Sequence, residues 1–154
     1  EKPLSTVAPI KLIEGLPDHF LVMNGDLLTD LDFADLYTYH LQQKSLLTVS
    51  TYHRKTKVDF GVIDVDNETK TATAFREKPE YDFNVSMGVY VMDKKILEMV
   101  PLNEPFGFDN LMYAMLDAKK PVSIYNYEGY WLDIGRPDDY EKACIDIETL
   151  QAKL

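Results

Sequence analysis

Cysteine is nearly missing from this sequence: Cys144 is the single one among 154 residues. A lone thiol excludes an internal disulfide and any multi-cysteine metal site and fits a reducing compartment. Packing within a helix is its expected role. Long apolar runs are missing as well. The longest, residues 20–23 and 89–92, fall far below the roughly 20 residues that a membrane-spanning helix needs. The first six residues, Glu-Lys-Pro-Leu-Ser-Thr, have neither the basic start nor the apolar core of a secretory signal. The expectation is a cytoplasmic protein with no membrane partner. Basic residues are scarce beside acidic ones, 16 against 26, for a formal net charge of −10. Such a field repels nucleic acid as well as anionic membranes. A small phosphorylated substrate stays compatible with it, because a metal ion and a few local cations reverse the potential inside one cleft. Repeats and low-complexity linkers are lacking too. With 45% hydrophobic content the chain can bury a core, and residues 1–154 read as a single domain.

Where apolar residues do occur, their spacing marks alternating strands and helices. Phe33, Leu36, Tyr37, His40 and Leu41 follow the i, i+3, i+4, i+7, i+8 pattern of an amphipathic helix behind an Asp32 cap. Residues 20–23 before it and 46–51 after it read as strands. Such a strand, helix, strand unit is expected to pair its strands in parallel, with the helix as a right-handed crossover. Residues 60–65, 71–75 and 85–92 predict a hairpin-like, partly antiparallel section. A short helix over 94–100 follows, then an amphipathic helix marked by Phe108, Leu111, Met112, Met115 and Leu116, and a strand over 122–127. The last helix opens at Arg136-Pro137-Asp138-Asp139, where proline suits the first turn and the aspartates suit the positive end of the dipole. Tyr140, Ala143, Cys144, Ile147 and Leu150 or Gln151 form its expected buried stripe. The class is α/β, one mixed sheet flanked by helices.

Several positions could carry chemistry, and each has a plainer reading beside it. Asn24-Gly25-Asp26 puts a carboxylate just beyond the carboxyl end of a strand, where ligands of open α/β sheets bind. Gly25 would let backbone approach a ligand, and Asp26 offers hard oxygens to Mg²⁺. The same tripeptide is also a common turn. In Trp131-Leu132-Asp133-Ile134-Gly135 a second carboxylate follows a strand. Two aspartates from distant strand ends suit an ion that takes few protein ligands and completes its shell with phosphate and water. The plainer reading makes Trp131 core and Asp133 a helix cap. Glu77 and Lys78 could bind sugar hydroxyls and phosphate, but alternation in a strand would point them to opposite faces. They share one ligand only if the strand breaks, which Pro79 favours; otherwise they are a solvated pair. Gly61 and Gly88 sit in strand-like patterns, where glycine marks a bulge or a close approach. Asp64-Val65-Asp66 resembles an Asp-x-Asp metal motif of glycosyltransferases, yet Asn67-Glu68 behind it reads as a hairpin turn.

In order along the chain, Asn-Gly-Asp after a strand, Phe-Gly-Val, Glu-Lys-Pro, Met-Gly-Val-Tyr-Val and Trp-Leu-Asp-Ile-Gly resemble the sugar-1-phosphate nucleotidyltransferases, the nucleotide-sugar pyrophosphorylases. Pro3-Leu4-Ser5-Thr6-Val7-Ala8-Pro9-Ile10 is similar to that family's Pro-Leu-Gly-Thr-Ala-Gly-Ala-Leu segment, with side chains at two glycine positions. The resemblance implies a mixed, mainly parallel Rossmann-like sheet of the nucleotide-diphospho-sugar transferase type. It implies that Asp26 and Asp133 hold a catalytic Mg²⁺, that Glu77 binds sugar hydroxyls, that Lys78 contacts the sugar phosphate, and that Gly61 and Gly88 present backbone to the sugar. The implied reaction joins a sugar 1-phosphate to the α-phosphorus of a nucleoside triphosphate and releases pyrophosphate, by positioning and charge neutralisation. No counterpart of the family's N-terminal strand, Gly-x-Gly-Thr-Arg loop or Pro-Lys element occurs in these residues. The expectation is a domain inactive by itself, with an exposed sheet edge that invites homo-oligomers. A non-catalytic module binding a sugar phosphate or nucleotide-sugar is the alternative.

Overall fold

The computed structural model describes residues 3–151, with side chains through Ile147. After a 3-10 turn (Ala8–Leu12) come β1 (His19–Met23), β2 (Leu27–Thr29), α1 (Phe33–Gln43), β3 (Leu47–Lys57), β4 (Val62–Val65), β5 (Ala72–Arg76) and β6 (Glu80–Asp93). A second 3-10 stretch (Lys94–Met99), α2 (Phe108–Asp117), β7 (Val122–Tyr127), β8 (Trp131–Asp133) and α3 (Pro137–Gln151) complete it.

Four strands form the main sheet in the order β1-β6-β3-β7. β6 is antiparallel to both neighbours, while β3 and β7 are parallel. β1, β3 and β7 therefore share one direction and β6 alone opposes them, which is the mixed sheet expected, although β6 lies between β1 and β3 and makes two of the three ladders antiparallel. One detail differs. β1 and β3, the strands on either side of α1, run the same way but do not pair, because β6 lies between them. Residues 87–92 of β6 are all buried, and a strand apolar on both faces belongs in the middle of a sheet.

Alternation along β6 divides the core in two. Tyr90 and Met92 join Phe20, Leu47 and Val49 with Ile96, Leu111 and Met115 on one side. Met87, Val89 and Val91 join Leu31 and Leu36 on the other, as the period of two requires. α1 starts as its sequence predicts: Asp32 accepts from the amides of Ala34 and Asp35 at 2.8 and 3.2 Å. Leu36 and His40 are fully buried.

α3 departs from its predicted stripe. Ala143 is buried, but Tyr140 and Ile147 are 59% and 40% exposed and Cys144 is exposed, so the thiol has no packing role. The side chains of Leu150 and Gln151 lie outside the described residues. The element α3 packs on is the three-residue β8, too short to cover a helix face.

The carboxyl half of β3 and the amino half of β6 continue past the core as a two-stranded ribbon. At its tip β4 and β5 make a separate hairpin, closed at the base by Val58 N–H donating to Pro79 O at 3.0 Å. Asp66 caps the hairpin turn, accepting from the amides of Glu68 and Thr69, and Asp64 pairs with Arg76 at 2.8 Å. The Asp64-Val65-Asp66 motif is thus the end of β4 and the start of its hairpin turn. Among the described residues no helix is long and apolar enough to cross a membrane.

Candidate functional site

β1, β3 and β7 point their carboxyl ends to the same side, and the segment 24–26 leaves β1 there. The chain then pairs β2 with β8, a ladder that places Leu27 opposite Asp133. Ile134 N–H donates to the carbonyl of Asp26 at 2.9 Å. This small ladder, too short to stand out in a sequence, joins two carboxylates more than one hundred residues apart.

Gly135 shows how close they come. A Cβ built there would lie 3.1 Å from Asp133 Oδ1 and 3.5 Å from Asp26 Oδ2, so both carboxylates flank one point. Gly135 N–H donates to Asp133 Oδ1 at 3.0 Å, which turns that carboxylate toward the segment that follows β8. Both aspartates are exposed, and no third histidine, cysteine or carboxylate joins them among the described residues. Two hard oxygen donors with open space beside them fit Mg²⁺, which keeps water and phosphate in its remaining positions.

Asn24, Gly25 and Asp26 also line a cavity of about 550 Å³, whose apolar wall includes Val7, Val22, Met92 and Phe108. Tyr90 and Phe108 stack in that wall, ring centres 3.9 Å apart. A Cβ on Gly25 would meet nothing within 4 Å, so the backbone there is open to a ligand. The Ser5–Ala8 segment reaches the cavity because Val7 and Ala8 donate to Phe106 O at 3.0 Å, while Thr6 Oγ1 accepts from Phe108 N at 3.2 Å. A larger cavity of about 620 Å³ lies at the other end of β1, beside Lys11, His19 and Lys94, away from both carboxylates.

Gly88 has φ of +76° and its absent side chain leaves room for Asn24, whose Nδ2 would sit 2.7 Å from a Cβ. The space beside Gly88 is taken by the Asn24 side chain. Asp133 is held through the corner before β8. Asp30 Oδ1 accepts from Tyr130 N–H at 2.7 Å and from the Tyr127 hydroxyl. Desolvation and the Asp30 bond push Tyr127 well above the ordinary range. Desolvation, then the Asp146 carboxylate, push Tyr130 up to about 12. Both phenols stay protonated at neutral pH and act as donors.

Gly61, Glu77 and Lys78 are not part of this cluster. Gly61 precedes β4 instead of lying inside a strand, covered by the Phe75 ring with Glu77 Oε2 3.2 Å from its would-be Cβ. The strand does break, for β5 ends at Arg76 and Lys78 takes φ of +44°. These residues sit at the ribbon tip. From Gly88 back to Glu80 the eight residue-to-residue steps along β6 span up to about 26 Å when extended. Among the described residues no hydrogen bond joins the hairpin to Asp26 or Asp133. Sequence reasoning missed Asn24 as Gly88's partner and Gly135 as the meeting point of the carboxylates. The pairing of Asp-x-Gly with Asn-Gly-Asp was the available signal.

A sequence profile of the family described as nucleotidyl transferase matches residues 5–149. A mannose-1-phosphate guanyltransferase of Yarrowia lipolytica is 28% identical over 99% of this chain and 44% of its own length. A glucose-1-phosphate adenylyltransferase of Bacillus subtilis is 30% identical over 85% of this chain and 37% of its own. Among solved structures, HddC of Yersinia pseudotuberculosis superposes with a TM-score of 0.65 at 28% identity, covering 95% of this chain and 64% of that one. It has also been solved with GMP-PN, at a TM-score of 0.61. The chain spans less than half the length of these two named relatives.

Proposed function

The chain belongs to the nucleotidyl transferase family, and on that premise we propose that the protein joins a nucleoside triphosphate to a sugar 1-phosphate, giving a nucleotide-sugar and pyrophosphate. The observation that carries this reading is the meeting of Asp26 and Asp133 at Gly135, with Asp26 also lining a cavity on the carboxyl side of the sheet. Ligands of open α/β sheets bind on that side.

In this reading Asp26 and Asp133 hold Mg²⁺, which when bound neutralises phosphate charge. The chain's own part is positioning. Gly25 leaves backbone bare for a phosphate or ribose to approach, and the Val7, Val22 and Phe108 wall offers an apolar surface to a base. Tyr127 and Tyr130, protonated donors to Asp30 and Asp146, keep the corner before Asp133 in place. Glu77 and Lys78, on the ribbon that rises from the same end of the sheet, act on the sugar phosphate when the tip reaches the cleft. A single cysteine fits a reducing, cytoplasmic compartment.

The test is pyrophosphate release by the full-length protein with a panel of nucleoside triphosphates and sugar 1-phosphates, together with calorimetric titration. Asp26→Ala and Asp133→Ala should each lose turnover and metal-dependent binding. Glu77→Ala and Lys78→Ala should raise KM for the sugar phosphate and leave metal binding alone. Asp66→Asn should change neither, since Asp66 caps a turn. Metal-dependent sugar-phosphate binding without turnover in the full-length protein would move the assignment to a binding module. No binding by folded protein would refute both.

A further inference from the structure

Between Tyr90, opposite Val49, and Ser86, opposite Thr51, the register of β6 against β3 shifts. Three residues of β6, Met87 to Val89, therefore face Ser50 alone. A bulge of this kind takes backbone groups out of the ladder, and each carbonyl left over must find a donor. Two donors outside the ladder take those on the β3 side: Trp131 Nε1 donates to Met87 O at 3.0 Å and the Ser50 hydroxyl donates to Val89 O at 2.6 Å. The carbonyl between them, Gly88 O, faces β1 and accepts from the amide of Asn24 at 2.9 Å, one step beyond the Met23–Val89 pair.

The donors are placed so that the bulge touches both carboxylate segments. Asn24 lies two residues before Asp26, and Trp131 lies two residues before Asp133. Ser50 is fully buried behind them. The Trp131 ring is itself steadied by Tyr52, with centroids 5.4 Å apart, and by the Arg54 guanidinium 5.4 Å from its centroid. Those two residues belong to β3, at the base of the ribbon. We propose that the Met87–Val89 bulge sets the spacing of the Asp26 and Asp133 carboxylates, with Trp131 and Ser50 as its positioning residues. The inference rests on the reading of that pair as a metal site.

The probe is Mn²⁺, a cation that carboxylates take as they take Mg²⁺. Its affinity for the full chain is read from water-proton relaxation, with thermal melts confirming that each variant is folded at the temperature used. Trp131→Phe keeps an aromatic ring against Tyr52 and loses the indole N–H. Ser50→Ala loses the hydroxyl, and Ser50→Thr keeps one. Asp26→Ala and Asp133→Ala should abolish binding, and Trp131→Phe and Ser50→Ala should weaken it by about tenfold or more, the usual effect of losing a group that orients a ligand. Ser50→Thr should bind as the parent does. Mn²⁺ binding that survives both aspartate variants refutes the carboxylate reading and the proposal with it. Binding lost in the aspartate variants but unchanged in folded Trp131→Phe and Ser50→Ala overturns the proposal alone. If Ser50→Ala does not fold, Trp131→Phe decides.

Discussion

Replacing Gly88 with alanine tests the bulge without any ligand. Gly88 has φ of +76°, and an L side chain in the left-handed region costs about 1–2 kcal/mol. A Cβ there would also stand 2.7 Å from Asn24 Nδ2 and 3.2 Å from Leu27 Cδ1. The Asn24 side chain is exposed and can swing aside, so the steric part is small. Moving it still strains the bond from Asn24 N–H to Gly88 O, a contribution of about 1 kcal/mol. Against this, alanine restricts the unfolded chain and returns about 0.4–1 kcal/mol. The net loss is about 1–2 kcal/mol, or a fall of about 3–6 °C in Tm for a chain of this size. Gly61→Ala is the control. Its Cβ would sit 2.6 Å from the Phe75 ring, but that ring is 64% exposed and free to turn, and Gly61 lacks a positive φ. Its effect should stay within about 0.5 kcal/mol. The assay is urea denaturation of parent and both variants followed by circular dichroism. A Gly88→Ala protein as stable as the parent, or more stable, would mean that the backbone is relaxed there and that the bulge argument is wrong.

Two further outcomes follow from other residues. His40 is fully buried between His19 Nδ1 at 3.1 Å and Thr48 Oγ1 at 2.9 Å; desolvation first, then His19, hold its pKa below the usual 6.5. The unfolded chain thus takes up the proton at a higher pH than the native one, so His40's contribution is complete above about 6.5 and declines as pH falls below it. Denaturation midpoints between pH 8 and 5 should show that decline, and His40→Gln should flatten it. Ser5 has φ of +65°, so Ser5→Gly should relieve about 1–2 kcal/mol of left-handed strain and lose about 0.5–1 to chain entropy. A net gain of about 0.5–1 kcal/mol by urea titration is expected, and a loss would refute the strain.

The elements most legible in the sequence were those whose signal is local. The i, i+3, i+4, i+7, i+8 spacing from Phe33 to Leu41 with the Asp32 cap, the apolar run of β6 and the turn at Asp66 each state their own geometry, although of that helical stripe Leu36 and His40 are buried while Phe33 and Leu41, at its ends, are exposed. α3 was misread for the same reason in reverse. Tyr140, Ala143 and Ile147 have helical spacing, but spacing says which residues share a face and nothing about whether another element covers it. β2 and β8, three residues each, are too short to carry a period, so the ladder itself left no pattern, and the two aspartates were legible only through their Asn-Gly-Asp and Asp-x-Gly motifs.

What the sequence determined alone is therefore the set of parts: an α/β chain with an apolar strand over residues 85–92, carboxylates after two strands, glycines at 88 and 135, and motifs shared with one family. Local propensity and burial preference act within a few residues, and those are written in order along the chain. What only the tertiary structure decided is which parts meet. Asp26 and Asp133 converge on Gly135 because β2 pairs with β8, while Glu77 and Lys78 lie at the end of a ribbon whose hairpin, among the described residues, pairs β4 with β5. Contact between residues far apart depends on strand order and register. Those are settled by the packing of the whole sheet, which no single segment encodes.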